Sequence, residues 1–352
     1  MKCRALCNAL IAVGALSFGG ASHAADWFPV KVKSVAADGK ESIVDYRPVA
    51  KAAQPWKICA AYPHLKDSFW LGADYGMVEE AKRLGVKLQV MDAGGYEHLA
   101  NQISQIENCV AGGANAVLVG AVSYDGLNNA LEQVRKKNIV VIDVMNGVSF
   151  KDVSARTLAS PYGEGYNAGQ YLAKRHPAGT APVKVAWFPG PAGAGFVELF
   201  NKGFLAGVKG GAIDIVETKY GDIGKEVQAR LIEDALQVHK QLDYIVGTAV
   251  TAEAGVPVLR AHGRKDVKLV SLYLTPGVYQ GIRAKTIEAS GVEAVVTIGR
   301  IAIDQAVRAL EKKEVISPAT PVVGFYDQSN IKTLDAGISM APRGFKPVFK
   351  VE

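Results

Sequence analysis

The stretch Tyr62-Pro-His-Leu-Lys-Asp-Ser-Phe-Trp70 sets a carboxylate, Asp67, within three residues of two large aromatics, Phe69 and Trp70. That set suits a small solute with an apolar or cationic surface and one polar handle. Aromatic faces attract methyl groups around a positive centre, and the carboxylate supplies a charged contact. The stretch follows the apolar run Lys57-Ile-Cys-Ala-Ala and precedes an amphipathic segment, Leu71 to Leu84. It therefore reads as a strand-to-helix loop at the carboxyl end of a strand, where open α/β sheets bind ligands. Asp67 has a second possible role as the N-cap of the following helix. Phe69 suits packing between lobes as well as ligand contact, and Trp70 could be a core residue at a helix start.

Three tyrosines occupy comparable places. Tyr96 follows Asp92-Ala-Gly-Gly, whose glycines permit a tight turn and leave the ring and hydroxyl at a strand end. Tyr162 follows Ser160-Pro161, and Tyr273 closes the apolar run Lys268–Tyr273. Catalytic and nucleotide motifs are missing. Pro189-Gly-Pro-Ala-Gly-Ala-Gly195 does not have G-x-G-x-x-G spacing, and Gly221-Asp-Ile-Gly-Lys225 is not a P-loop. No G-x-S-x-G elbow appears, and the histidines fall at no metal-ligand spacing. The expectation is a ligand-binding protein with no catalytic residues, metal or cofactor. A secreted α/β enzyme is the disfavoured alternative.

The elements that position these residues alternate. Strands are expected at Lys57–Tyr62, Lys87–Asp92, Ala116–Gly120 and Ile139–Val144, with helices Leu71–Leu84, His98–Ala111 and Tyr124–Lys137 between them. After the break at Asn146-Gly147 a second series runs through helix Tyr166–Arg175, strand Lys184–Pro189, helix Gly195–Gly207 and strand Asp214–Tyr220. It continues with helix Lys225–His239, strand Tyr244–Gly247, helix Ala252–Ala261 and strand Lys268–Tyr273. Ala294–Lys313 reads as one more strand and helix, and the chain from Tyr326 onward as irregular. Alternation of this kind predicts parallel sheets with right-handed crossovers, and continuous apolar strands predict sheets covered on both faces. Ahead of the repeat, Phe28–Lys33 and Ile43–Tyr46 flank Asp38-Gly39 as a β-hairpin, either a packing strap or a docking surface for a partner.

Residues 1–24 carry an export signal: Lys2 and Arg4, an apolar run from Ala9 to Phe18, and Ser22-His23-Ala24 before the cleavage point. The run is too short for a membrane span. Removing Lys2 and Arg4 takes the net charge of the 352-residue chain from +6 to +4. That charge is dispersed and lacks the basic stripe that nucleic acid requires. Cys59 and Cys109 remain of the four cysteines. In an oxidising compartment the pair invites a disulfide, the alternative being two buried thiols.

Two tandem α/β units, an export signal and aromatic strand-end loops together resemble the type I periplasmic binding proteins of the ribose-binding kind. The resemblance is closest to a branch that senses trimethylamine N-oxide. It is carried by Trp56-Lys-Ile-Cys-Ala-Ala-Tyr-Pro-His-Leu-Lys-Asp-Ser-Phe-Trp-Leu, Asp92-Ala-Gly-Gly-Tyr96, Gly247-Thr-Ala-Val-Thr-Ala-Glu-Ala254, Val270-Ser-Leu-Tyr-Leu274 and Gly344-Phe-Lys-Pro-Val348. The resemblance implies two doubly wound parallel-sheet lobes joined by a multi-strand hinge. A hairpin extension at 25–55 would precede a first lobe at 56–158 and 296–322 and a second lobe at 159–295 and 323–352. It implies a periplasmic sensor that binds trimethylamine N-oxide through Asp67, Phe69, Trp70, Tyr96, Tyr162 and Tyr273 and signals to the periplasmic domain of a hybrid histidine kinase. The alternative is the solute-binding subunit of an importer for a sugar or a methylated amine. An aromatic at Tyr273, where sugar binders carry an aspartate, argues against a sugar.

Overall fold

The structure is a computed structural model that describes residues 27–35 and 39–352. The expected export signal at 1–24 lies outside the described residues. The hairpin is formed by β1 (Val30–Val35) and β2 (Glu41–Tyr46), with Val32 opposite Val44. The first α/β series follows: β3 (Lys57–Tyr62), α1 (Ser68–Leu84), β4 (Lys87–Asp92), α2 (Leu99–Ala111), β5 (Ala116–Val119), α3 (Asn128–Lys136), β6 (Val140–Met145) and β7 (Ala155–Leu158). The second comprises α4 (Pro161–Arg175), β8 (Val183–Gly190), α5 (Gly195–Gly207), β9 (Ile213–Tyr220), α6 (Lys225–Val238), β10 (Tyr244–Gly247), α7 (Ala249–Ala261), β11 (Lys268–Ser271), α8 (Pro276–Arg283) and β12 (Ala289–Gly291). The chain then runs through α9 (Val295–Leu310), β13 (Thr320–Pro321), β14 (Phe325–Asp327) and β15 (Lys350–Val351).

Each series builds one sheet. The first has the order β15-β4-β3-β5-β6-β7 and the second β14-β12-β11-β10-β8-β9. Pairing is parallel except at the edges, where β15 runs against β4 and β14 against β12. In each sheet the first strand of its series has later strands on both sides, so the connections diverge at β3 and at β8. That divergence leaves a crevice at the carboxyl ends, the place where such sheets hold ligands. The first sheet is apolar on both faces. Ala60, Leu118 and Ile142 meet α1 and α9 on one side, while Ala61, Val117 and Val141 meet α2 and α3 on the other.

The helix α9 belongs to the first lobe although the chain reaches it from the second. It lies so close to α1 that a Cβ at Gly76 would come within 2.1 Å of the Val296 carbonyl oxygen. The second lobe repeats the device between α4 and α5, where a Cβ at Gly203 would lie 2.0 Å from the Tyr162 carbonyl oxygen. Glycine is required at both crossings because the backbones touch. The chain passes between lobes at 159–160, 292–294 and 322–324, and a fourth time over 341–347 on its way to β15.

Several elements differ from the sequence expectation. Ala294–Lys313 contains no strand, because its apolar residues fall on the faces of a single helix that packs on α1. The tail assigned to the second lobe as 323–352 returns to the first: the Val348 amide donates to Asp74 Oδ2 at 2.9 Å, and β15 pairs with β4. The hairpin is a strap. Tyr46 is buried with its hydroxyl on Asp304, the Val49 amide donates to Asp304 Oδ1 at 2.7 Å, and the Trp27 indole N–H donates to Glu80 at 3.0 Å. Cys59 on β3 and Cys109 on α2 are joined by a disulfide.

Candidate functional site

Asp67 ends the loop after β3 and caps α1. Its side chain accepts from the Trp70 amide at 3.0 Å, which starts the helix at Ser68 and places Phe69 and Trp70 in its first turn. Burial pushes the Asp67 carboxyl above the usual range, opposed by His64 and by the backbone N–H groups of Trp70 and Phe69. Trp70 is buried, with its ring 5.3 Å from that of Tyr62. The indole occupies the space that Gly120 leaves at the end of β5, since a Cβ there would lie 2.4 Å from Trp70 Cη2. Trp70 therefore stands over the β3–β5 divergence.

Tyr96 reaches the same crevice from beyond β4, after Gly94 turns the chain at φ +91°. The Asn146 side-chain amide donates to the Tyr96 hydroxyl at 3.2 Å and to the Ala121 carbonyl at 2.7 Å. With its oxygen accepting from Asn146, the phenol keeps its own proton to donate. Burial holds that proton well above the usual phenol range.

The second lobe faces this wall. Tyr273 lies just beyond β11, with its ring 5.3 Å from Phe69 in an edge contact, and Phe196 of α5 lies 5.5 Å from Tyr96. Glu293, on the crossing from β12 to α9, is 5% exposed and completes the lining with Asp67, Phe69, Trp70, Tyr96 and Tyr273. The space between these side chains is about 30 Å3. One water needs roughly 10–15 Å3 by the same measure, so the site suits a solute of a few non-hydrogen atoms. Two carboxyl groups line it, and among the described residues no lysine, arginine or histidine does.

Five of the six residues expected at the site thus share one pocket. Tyr162 does not. Pro161 takes the first position of α4 and lines the cleft, and the next residue along a helix points about 100° away. Tyr162 is 46% exposed and stacks on Tyr166. Its expected place on the second-lobe wall is taken by Phe196 and Phe200. Sequence reasoning missed Glu293, Asn146 and Phe196. A lone acid inside the apolar run Ala289-Ser-Gly-Val-Glu-Ala-Val-Val296 was the available signal for Glu293. Among the described residues no group of histidine, cysteine, aspartate and glutamate could hold a metal, and no helix is long and apolar enough to cross a membrane.

A family model described as "Periplasmic binding protein domain" matches residues 58–314. The chain is 35% identical to the periplasmic protein TorT of Escherichia coli K12 over 299 residues, covering 85% of this chain and 86% of TorT. A crystallised ABC-transporter solute-binding protein from Bradyrhizobium sp. BTAi1, with bound bis-tris, is 52% identical with a TM-score of 0.82, covering 92% of this chain and 99% of that one. TorT in its complex with the TorS sensor domain in the presence of trimethylamine N-oxide is 34% identical with a TM-score of 0.77, covering 84% and 99%.

Proposed function

The chain belongs to the periplasmic binding proteins, and from that premise we propose that it is a TorT-like periplasmic sensor. It binds trimethylamine N-oxide between its lobes and passes the bound state to the sensor domain of a TorS-like histidine kinase. It is exported with residues 1–24 removed as a signal peptide, and it performs no catalysis.

The observation that carries this reading is the small pocket walled by Phe69, Trp70, Tyr96 and Tyr273. Trimethylamine N-oxide presents three methyls around a positive nitrogen and one negative oxygen. The rings offer π-faces to the methyl end, Asp67 faces the positive nitrogen, and the Tyr96 hydroxyl is free to donate to the oxygen. A sugar would need several polar partners and more room. Because Phe69 and Tyr273 come from different lobes, a ligand held between them stabilises the closed arrangement through its differential affinity, and the kinase responds to that arrangement.

Calorimetric titration of residues 25–352 with trimethylamine N-oxide, trimethylamine and ribose tests this, first alone and then with the kinase sensor domain. Binding of the N-oxide alone is expected. Ribose binding, or silence toward the N-oxide even with the sensor domain present, overturns it. The Bradyrhizobium relative favours a second reading, the solute-binding subunit of an importer. Preference for bis-tris over the N-oxide would select that reading, although a pocket of about 30 Å3 argues against so large an amine.

A further inference from the structure

Glu293 has no place among the aromatic contacts, yet it lines the same pocket. Behind it, on α4, stands Glu164, 2% exposed. The two carboxyls interact directly, the Ser160 backbone N–H alone opposing the rise at Glu164, and Oε2 of Glu293 has no other hydrogen-bond partner among the described residues. The other titratable groups acting on this corner are Asp67, Tyr96 and Tyr273, all acidic or neutral. Beyond Asp67, Glu253 is engaged by Lys225 and by the Thr275 hydroxyl, and His64 sits against the Tyr96 ring. Lys33 lines a cavity on the far side of Glu164 but is paired with Glu41 at 2.7 Å, and among the described residues no cation is among the charges acting on either carboxyl. Two carboxylates buried together without a counter-ion cannot both ionise, so protons stay on them.

We propose that Glu293, backed by Glu164, is the specificity-determining acid of the site: a carboxylic acid that keeps its proton and donates it to the ligand's oxygen, selecting an amine oxide over a quaternary ammonium without one. This rests on the functional reading above. Glu164 donates to one Glu293 oxygen, and the Glu293 O–H points its own proton into the pocket. The orders of proton affinity agree. Burial and then Glu293 hold the Glu164 proton well above the usual range, while burial, with Asp67 adding to it, pushes Glu293 up to about 7. The acid therefore serves as a donor below neutrality and becomes a second pocket carboxylate above it.

The two ligand types must then respond to pH in opposite directions. Affinities of the mature wild-type protein and of Glu293→Gln are measured for trimethylamine N-oxide and for tetramethylammonium, which has the same shape without the oxygen acceptor. At about pH 6 and about pH 8.5, wild-type N-oxide affinity should fall by about tenfold per unit above 7, while tetramethylammonium affinity rises. Glu293→Gln, whose amide cannot titrate, should lose both slopes. An N-oxide affinity that is flat or rises with pH in the wild type overturns the inference. If neither ligand binds at either pH, the functional reading fails, and the acid is then read by carboxyl 13C NMR on the free protein. A Glu293 resonance titrating in the ordinary glutamate range overturns the inference as well. One titrating near 7, and absent from Glu293→Gln, sustains the acid while only the ligand assignment falls.

Discussion

Phe69 and Tyr273 meet edge to face across the cleft, their ring centroids 5.3 Å apart at an interplanar angle of 67°. One ring belongs to the first turn of α1 and the other to the loop beyond β11, so the contact exists only while the lobes are closed. Such pairs contribute about 0.5–1.5 kcal/mol beyond the area they bury. Phe69→Ala should therefore weaken ligand binding by roughly two- to tenfold and shift small-angle scattering of the free protein toward a larger radius. Tyr273→Ala combined with it should add less than the sum of the single effects, because the pair is removed once. Full additivity would show that the rings do not couple the lobes.

Trp70 carries two burdens. Its indole lines the pocket and also fills the core above Gly120. Trp70→Ala is expected to abolish measurable N-oxide binding and to lower unfolding stability by about 3–5 kcal/mol, the usual cost of truncating a buried large aromatic. Trp70→Phe, which keeps most of the volume, separates the two effects. Urea unfolding reads the stability and calorimetry the affinity. A stable Trp70→Phe protein with undiminished affinity would remove the indole from the binding wall.

Tyr162 supplies the converse. It stacks on Tyr166 outside the cleft, so Tyr162→Ala should change affinity by less than about twofold, the range of ordinary surface substitutions. A large loss would mean that the tyrosine turns inward when the ligand is bound.

Asp74 on α1 is fully buried, and burial pushes its carboxyl up to about 6, opposed only by the Val348 amide. A carboxyl whose folded pKa is raised holds its proton more tightly folded than unfolded. Its contribution is fully present below the unfolded pKa, near 3.8, and is lost as pH rises through 6. Relative to Asp74→Asn, wild-type unfolding free energy should fall by roughly 3 kcal/mol between those values. Parallel urea titrations at stepped pH measure that difference, and equal pH slopes in the two proteins would contradict it.

The Cys59–Cys109 bond closes a sequence separation of 50 residues between β3 and α2. On the chain-entropy account, removing it should cost about 4 kcal/mol. The double variant Cys59→Ala with Cys109→Ala should show the lowered denaturation midpoint while leaving the cleft residues in place. An unchanged midpoint would mean that the crosslink constrains little of the unfolded chain.

The sheets were legible because β3 and β5 are nearly continuous apolar runs and β6 is broken only by Asp143, the pattern that burial on both faces demands. Short elements were not. β7, Ala-Arg-Thr-Leu, and β12, Ala-Ser-Gly, carry no apolar run, and α8 hides behind Thr275-Pro276. Asp67, Trp70, Tyr96 and Tyr273 meet at one pocket because each sits just beyond an apolar run. Tyr162 lies outside that pocket because helix phase, fixed by Pro161 at the first position, decides which neighbour faces inward. Glu293 and Phe196 depend on which strand ends come together across the cleft, and nothing local records that meeting.

The strap β1–β2 and the terminal strand β15 both attach to the first lobe. Each of these two segments is therefore a handle on the first lobe. A surface or fluorophore attached through β15 holds that lobe directly, whereas the strap also borders the second lobe, where Lys33 and Ile43 line a cavity with Glu164 and Asn167. A single-molecule recording made from the β15 anchorage would follow the second lobe's displacement directly, in the frame of the first.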